Sequence, residues 1–197
     1  MKSFTTNKKI LTVAIAIIWG FVLSPLESRS QAFDKGTKVL SAGIGIGSSL
    51  GSFSYSSQLP ALSVQYEQGV WEVGGPGVIS LGGYLGYKSY NWRHESTGFT
   101  SSASWKYTIV GLRSAYHYQG LENDNIDVYG GLMLSANILN YTYKDSTGGN
   151  MNSGNFGNTT GFTLYVGGRY YFAPNLGVFS ELGYGVSYLN LGLVLKL

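Results

Sequence analysis

The chain has 197 residues, no cysteine, 12% charged residues and a formal net charge of +3. Without cysteine there is no disulfide framework and no lipid-modified cysteine at a processed N-terminus. A soluble domain carries about 25% charge to cover a wet surface, so this shortage, beside 29 Gly and 16 Tyr, points to a surface covered by lipid.

The N-terminus sets the compartment. Lys2, Lys8 and Lys9 precede an apolar run from Ile10 to Leu23, followed by Ser24, Pro25 and a polar stretch ending in Ser30-Gln31-Ala32. The run is shorter than the roughly twenty residues of a membrane-spanning helix. Residues 1–30 therefore read as a secretory signal peptide, cleaved after Ser30 or Ala32, and residues 31–197 as one exported domain. Residues 1–30 hold Lys2, Lys8, Lys9, Arg29 and Glu27, so 9 of the 13 basic and 9 of the 10 acidic residues remain in the mature chain. A neutral mature chain offers no electrostatic case for a nucleic-acid partner.

From Lys38 onward, large apolar side chains alternate with Gly, Tyr and polar groups. That period of two belongs to strands with unlike faces. Eight segments are bounded by Gly, Asn, Pro or Ser clusters: Thr37–Gly47, Leu59–Val70, Gly77–Tyr90, Ser104–Tyr118, Asn125–Thr142, Thr159–Phe172, Gly177–Gly185 and Ser187–Leu197. Most reach the 9–11 residues that cross a bilayer at a tilt of about 45°. The fold class read from this is all-β, an eight-stranded antiparallel up-and-down transmembrane β-barrel, in which closure leaves no unpaired edge in hydrocarbon.

The connections alternate in length. Trp71–Pro76, Gln119–Asp124 and Ala173–Leu176 are short and read as periplasmic turns, whereas Gly47–Gln58, Asn91–Ala103 and Tyr143–Asn158 are long and read as extracellular loops. The connection at Gly185–Ser187 is the exception, extracellular by count yet very short. Outward positions such as Leu40, Ile44, Leu81, Leu85, Val110, Leu112, Leu132, Leu134, Leu164 and Val166 are apolar, and the last strand presents Leu189, Leu191, Leu193, Leu195 and Leu197 on one face. A soluble lipocalin-like barrel would turn that face inward around a ligand. Tyr116, Tyr118, Tyr170 and Phe172 mark a periplasmic aromatic girdle, and Tyr87, Phe162 and Tyr184 an outer one.

The run Arg169-Tyr170-Tyr171-Phe172-Ala173-Pro174-Asn175-Leu176-Gly177-Val178-Phe179-Ser180-Glu181-Leu182-Gly183-Tyr184-Gly185 resembles the closing hairpin of small OmpA/OmpX-type outer-membrane barrels. Gly111-Leu112-Arg113-Ser114-Ala115-Tyr116-His117-Tyr118 resembles their fourth strand. The resemblance covers the whole mature chain in layout and implies an eight-stranded barrel inserted by the outer-membrane assembly machinery. Two departures stand out: Leu197 occupies the place where such barrels present a terminal aromatic, and no peptidoglycan-binding domain is expected after it.

The inward parity carries Glu67, Lys88, Arg113, His117, Asp127, Arg169 and Glu181. An Arg or Lys at the lipid midplane costs about 2–4 kcal/mol, so these charges are expected to pair across the lumen. Glu67, Arg113, His117, Asp127, Arg169 and Glu181 form the expected structural cluster, with Arg169 beside Glu181 and His117 beside Asp127. His117 and Asp127 also imitate the orienting half of a hydrolytic triad, but no motif places a nucleophile, and His94 with Glu95 and Ser96 reads as a solvated loop. Gly43-Ile44-Gly45-Ile46-Gly47 repeats at strand period and lacks the following helix of a nucleotide loop, its glycines making room for lumen tyrosines. Two histidines and no cysteine offer no metal-ligand spacing, so neither metal nor cofactor is expected.

The expected function is that of a non-enzymatic integral outer-membrane protein, structural or adhesive, with recognition carried by extracellular loops, Tyr143–Asn158 above all. The partners are outer-membrane lipids, the assembly machinery and an extracellular ligand of unspecified chemistry. A narrow channel is the first alternative, although eight strands enclose an interior about filled by their own side chains. A lipid-modifying enzyme is the second.

Overall fold

A computed structural model of the chain describes residues 31–48, 50, 56–96, 99–121, 123–145, 150–153 and 157–197. The predicted signal peptide, residues 1–30, lies outside the described residues, as do parts of the loops predicted at Gly47–Gln58 and Tyr143–Asn158.

Among the described residues nine strands follow one another: β1 Lys38–Ile46, β2 Ser57–Val73, β3 Gly77–Ser96, β4 Phe99–Tyr118, β5 Ile126–Asp145, β6 Asn150–Ser153, β7 Thr159–Tyr171, β8 Leu176–Tyr184 and β9 Leu189–Lys196. Every pairing is antiparallel. All but β6 form a ring, which β1 closes by pairing with β2 on one side and β9 on the other. Closure is what a transmembrane sheet requires, because hydrocarbon supplies no partner for an edge N–H or C=O. The four-residue β6 stands outside the ring, paired with β5 at Tyr141–Lys144.

The alternation sorts the side chains as lipid demands. On β1, Leu40, Ala42, Ile44 and Ile46 are exposed and Val39, Ser41, Gly43 and Gly45 buried. The same rule exposes Leu85, Leu112, Leu134, Leu164, Val166 and Leu193, with Leu112 at 77% the most exposed large apolar side chain. Tyr116, Tyr118, Tyr170 and Phe172 ring the periplasmic end, and Tyr87, Phe162 and Tyr184 the other. Phe162 to Phe172 spans ten residues. At about 3.3 Å per residue and a tilt of about 40° they cover about 25 Å, the height of an outer-membrane apolar band. The outside is thus the lipid-facing wall of a transmembrane barrel.

Strand length is where sequence and structure part. β3, β4 and β5 are 20 residues each, against 9 for β1 and β8 and 8 for β9. The predicted loop Asn91–Ala103 is instead ladder, its pairings running unbroken from Asn91↔Ser104 to Ser96↔Phe99. Likewise β5 continues past Thr142 to Asp145, and part of the predicted Tyr143–Asn158 loop is β6. Beyond the bilayer the outward face of a strand leaves lipid, so its apolar alternation ends while the backbone ladder does not; Ser101 and Ala103 of β4 stay buried there. In β2, Pro60, which has no N–H, falls in the register shift between Leu59 and Leu62. The short connection after β8 occupies residues 185–188, held by Gly183 N–H donating to Tyr188 O at 3.0 Å and Tyr188 N–H to Ile46 O at 3.0 Å.

The lumen has two apolar layers. Tyr84, Tyr90, Tyr107, Ile109, Tyr129, Met133 and Tyr165 fill the outer half, and Phe33, Val39, Val78, Tyr171, Phe179 and Val194 the periplasmic end. Charges lie between them. The room at Gly43 is taken by Phe179 and Asn190, and that at Gly47 by Tyr188, rather than by the lumen tyrosines expected.

Candidate functional site

Six strands contribute to the charged layer once Gln65 and Ser80 are counted: Gln65 and Glu67 from β2, Ser80 from β3, Arg113 and His117 from β4, Asp127 and Tyr129 from β5, Arg169 from β7 and Glu181 from β8. Two glycines let these side chains meet across intervening strands. Gly82 is paired with Glu67 on one side and Arg113 on the other, and Arg113 Nε approaches Glu67 Oε2 at 3.1 Å over it. Gly167 is paired with Tyr129 and with Glu181, and the Tyr129 hydroxyl donates to Glu181 Oε1 at 2.9 Å over that gap. A Cβ at Gly167 would lie 2.8 Å from Glu181 Cγ and 2.9 Å from Tyr129 Cζ.

Arg113 donates through Nη2 to Glu181 Oε1 at 2.6 Å and through Nη1 to Gln65 Oε1. Arg169 donates through Nη1 to Asp127 Oδ2 at 2.9 Å and through Nη2 to Glu67 Oε1 at 3.2 Å. The guanidiniums also lie on aromatic faces, Arg113 4.2 Å from the Tyr165 centroid and Arg169 4.4 Å from that of Tyr129, where cation and ring attract. The expected Arg169–Glu181 pair is corrected. Arg169 is opposite Phe179 on β8 but directly opposite Asp127 on β5, so it turns to the nearer acid and leaves Glu181 to Arg113. Lys88 lies apart, its Nζ donating to Gly47 O at 3.2 Å beside the Tyr90 ring rather than to a carboxylate.

His117 sits between two acids, Nδ1 2.8 Å from Asp127 Oδ1 and Nε2 2.7 Å from Glu67 Oε1. An ionised carboxylate only accepts, so both ring nitrogens donate, which is the imidazolium form. Two guanidiniums and one imidazolium then balance Glu67, Asp127 and Glu181. Such neutrality lets six ionisable groups share an interior that would reject any one alone.

Ser80 Oγ also lies 3.1 Å from His117 Nε2, so Ser80, His117 and Asp127 stand in the order of a hydrolase triad. The chemistry does not follow the order. An imidazolium has no lone pair to take the serine proton, and Glu67 holds the same nitrogen more closely. Ser80 is fully buried, donating to Ala115 O at 3.2 Å and accepting from Ala115 N–H at 3.3 Å.

The residues before β1 close the periplasmic end. Phe33, 2% exposed, stacks on His117 with centroids 3.7 Å apart and planes 12° from parallel. Gln119 Nε2 donates to Phe33 O at 3.1 Å and to Asp34 Oδ1 at 2.6 Å. Gly36 N–H donates to Gly69 O at 2.9 Å, and Gly69 N–H to Thr37 O at 3.0 Å. Above the charges, a cavity of about 30 Å³ lies among Tyr84, Arg113, Met133, Tyr165, Glu181 and Asn190, room for about two waters and no larger solute. Gln65 and Ser80 were visible in the sequence as polar residues on the inward parity. Phe33 precedes the alternation and left no such signal.

No protein-family model matches the chain, and no curated protein does. Among solved structures, the chain is similar to Ail, the attachment invasion locus protein of Yersinia pestis, in complex with the heparin analogue sucrose octasulfate: TM-score 0.47, 11% identity, covering 83% of this chain and 96% of that one. A backbone structure of the Yersinia pestis outer membrane protein Ail in a phospholipid bilayer nanodisc gives TM-score 0.43 and 11% identity, covering 83% of this chain and 100% of that one. Likeness at this level does not bear on what this chain binds.

Proposed function

We propose that the chain is an integral outer-membrane barrel of the small OmpA/OmpX-like kind, without enzymatic activity, whose role is structural or lies in recognition at the cell surface. One observation carries this reading: β3, β4 and β5 run on past the apolar belt as paired strands while the lumen beneath them is shut. The projecting hairpins expose polar and charged groups among aromatic ones, with Arg93 and Glu95 ion-paired at 2.7 Å and exposed, Lys106, Asn140 and Lys144 exposed beside them, and Phe99 exposed at the tip of β4. Its partners are then membrane lipid along the belt, the assembly machinery during insertion, and an extracellular ligand met by the hairpins.

A barrel trimmed from Trp92 to Ser102, with a two-residue turn joining β3 to β4, tests the reading. The trimmed protein is expected to fractionate with the outer membrane, to migrate differently on gels unless boiled, and to change attachment of the cells that carry it. Identical boiled and unboiled mobility of the parent chain would overturn the barrel reading, and unaltered attachment would remove recognition from this hairpin. The channel reading predicts stepwise conductance in planar bilayers, which the closed lumen argues against. The enzyme reading predicts labelling of Ser80 by a fluorophosphonate, and none is expected.

A further inference from the structure

Gly82 and Gly167 are glycine because a Cβ would collide with the next strand or with a lumen side chain. Gly130 of β5 and Gly168 of β7 are under no such constraint. A Cβ at Gly130 would meet Val166 Cγ1 at 3.6 Å and one at Gly168 would meet Asp127 O at 3.6 Å, both ordinary contacts. Glycine weakens a strand, and it marks places where something else comes close to the backbone. Both residues lie on the outward parity, and with Ser180 of β8 they floor an open groove of about 500 Å³, within the range of small-molecule sites, about 300–1,000 Å³.

Register and the neighbouring aromatics keep the groove open. Gly130 is paired with Tyr116 and Val166, and Gly168 with Val128 and Ser180. One rim is formed by Tyr116 and Tyr118 of β4 and the other by Leu182 of β8. An aromatic opposite a glycine can shield it, but Tyr116 turns the other way. Its ring lies over Gly77, where a Cβ would collide with it, and its hydroxyl donates to Pro76 O at 3.2 Å. The Tyr118 ring likewise lies against Gly120. Both rings are held off the floor, so the groove runs uncovered from the periplasmic girdle to Val166 near mid-belt.

We infer that this groove holds one acyl chain of a phospholipid of the periplasmic leaflet, more closely than lipid is held elsewhere on the barrel. The inference rests on the membrane reading above and deepens it. The groove is continuous with the wall that lipid covers, and this continuity supplies the occupant. A bilayer offers no water to expel, so a preference for one chain comes from packing contacts. A methylene chain is narrow and flexible enough to reach the glycines between the rims. The convex wall of a second barrel would rest on Tyr118 and Leu182 and leave the floor without neighbours, forfeiting those contacts.

The full chain refolded into phosphatidylcholine vesicles, with some of the lipid bearing a diazirine in one acyl chain, tests the inference once crosslinked peptides are located by mass spectrometry. Labelling is expected to be several-fold stronger on β5, β7 and β8 than on β2 and β3. Even labelling around the belt overturns the inference, and so does a groove labelled less than its surroundings, the outcome if a second barrel sat there. Gly130→Leu combined with Gly168→Leu fills the groove with side chains for which the backbone has room. This variant is expected to keep its heat-shifted gel mobility and lose the excess labelling, whereas Gly83→Leu, at an open glycine away from the groove, keeps both. Should the double change prevent folding, Gly168→Val alone makes the same test, and excess labelling that persists in the filled groove overturns the inference. Boiled and unboiled mobility of the parent sample separates the two readings: identical mobility fells the barrel itself, and even labelling of a heat-shifting barrel fells the groove alone.

Discussion

Phe33 and His117 lie ring on ring, 3.7 Å between centroids, although one precedes the first strand and the other stands near the end of β4. The contact joins the segment that closes the periplasmic end to the charged layer. It places a flat, waterproof surface against an imidazolium whose edges are held by Asp127 and Glu67.

Phe33→Ala is therefore expected to destabilise the barrel by about 3–5 kcal/mol, the usual cost of truncating a buried Phe. Urea titration of the tryptophan emission in detergent measures it. A loss below about 1 kcal/mol, a surface-like response, would mean that the segment does not stopper the lumen.

Glu181→Leu should take from Arg113, not from Arg169, the nearer of its two acids and leave the layer one positive charge in excess, at a cost of about 3–5 kcal/mol for a broken buried pair. A double-mutant cycle distinguishes the two arginines. Glu181→Leu combined with Arg113→Met should cost less than the sum of the single changes, whereas combined with Arg169→Met it should approach additivity. The reverse pattern would restore the pairing expected from sequence.

Gly82 and Gly83 are neighbours on β3 with opposite expected tolerance. A Cβ at Gly82 would lie 2.1 Å from Tyr66 O, whereas one at Gly83 would meet nothing within 4 Å. Gly82→Ala is expected to destabilise by about 1–3 kcal/mol through overpacking, and Gly83→Ala to be neutral or mildly stabilising. Heat-modifiability on gels ranks them, and equal behaviour would contradict the assignment of faces.

Val166→Arg introduces a cation on the lipid face near mid-belt and should cost about 2–4 kcal/mol, whereas Asn140→Arg, on the projecting part of β5, should cost about 1 kcal/mol or less. Refolding into phospholipid vesicles under denaturant reports the difference. If both are tolerated alike, Val166 does not face hydrocarbon.

Eight strands and their faces are legible in the amino-acid order, because side-chain direction in a strand repeats every two residues and lipid imposes one polarity along each wall. Leu191, Leu193, Val166 and Leu134 were legible as exterior, and Glu67, Arg113, His117, Asp127, Arg169 and Glu181 as interior, from parity alone. Which acid meets which base depends on how the ring closes. Arg169 chooses Asp127 over Glu181 because ring closure sets β7 against β5 in a particular register, and Arg113 reaches Glu67 and Gln65 because Gly82 leaves the gap between them open. The place of Phe33 and the long hairpins were illegible for related reasons. Phe33 belongs to no alternating run, and the outer reaches of β3, β4 and β5 lose their apolar alternation where their outward face leaves lipid, while their backbone pairing continues.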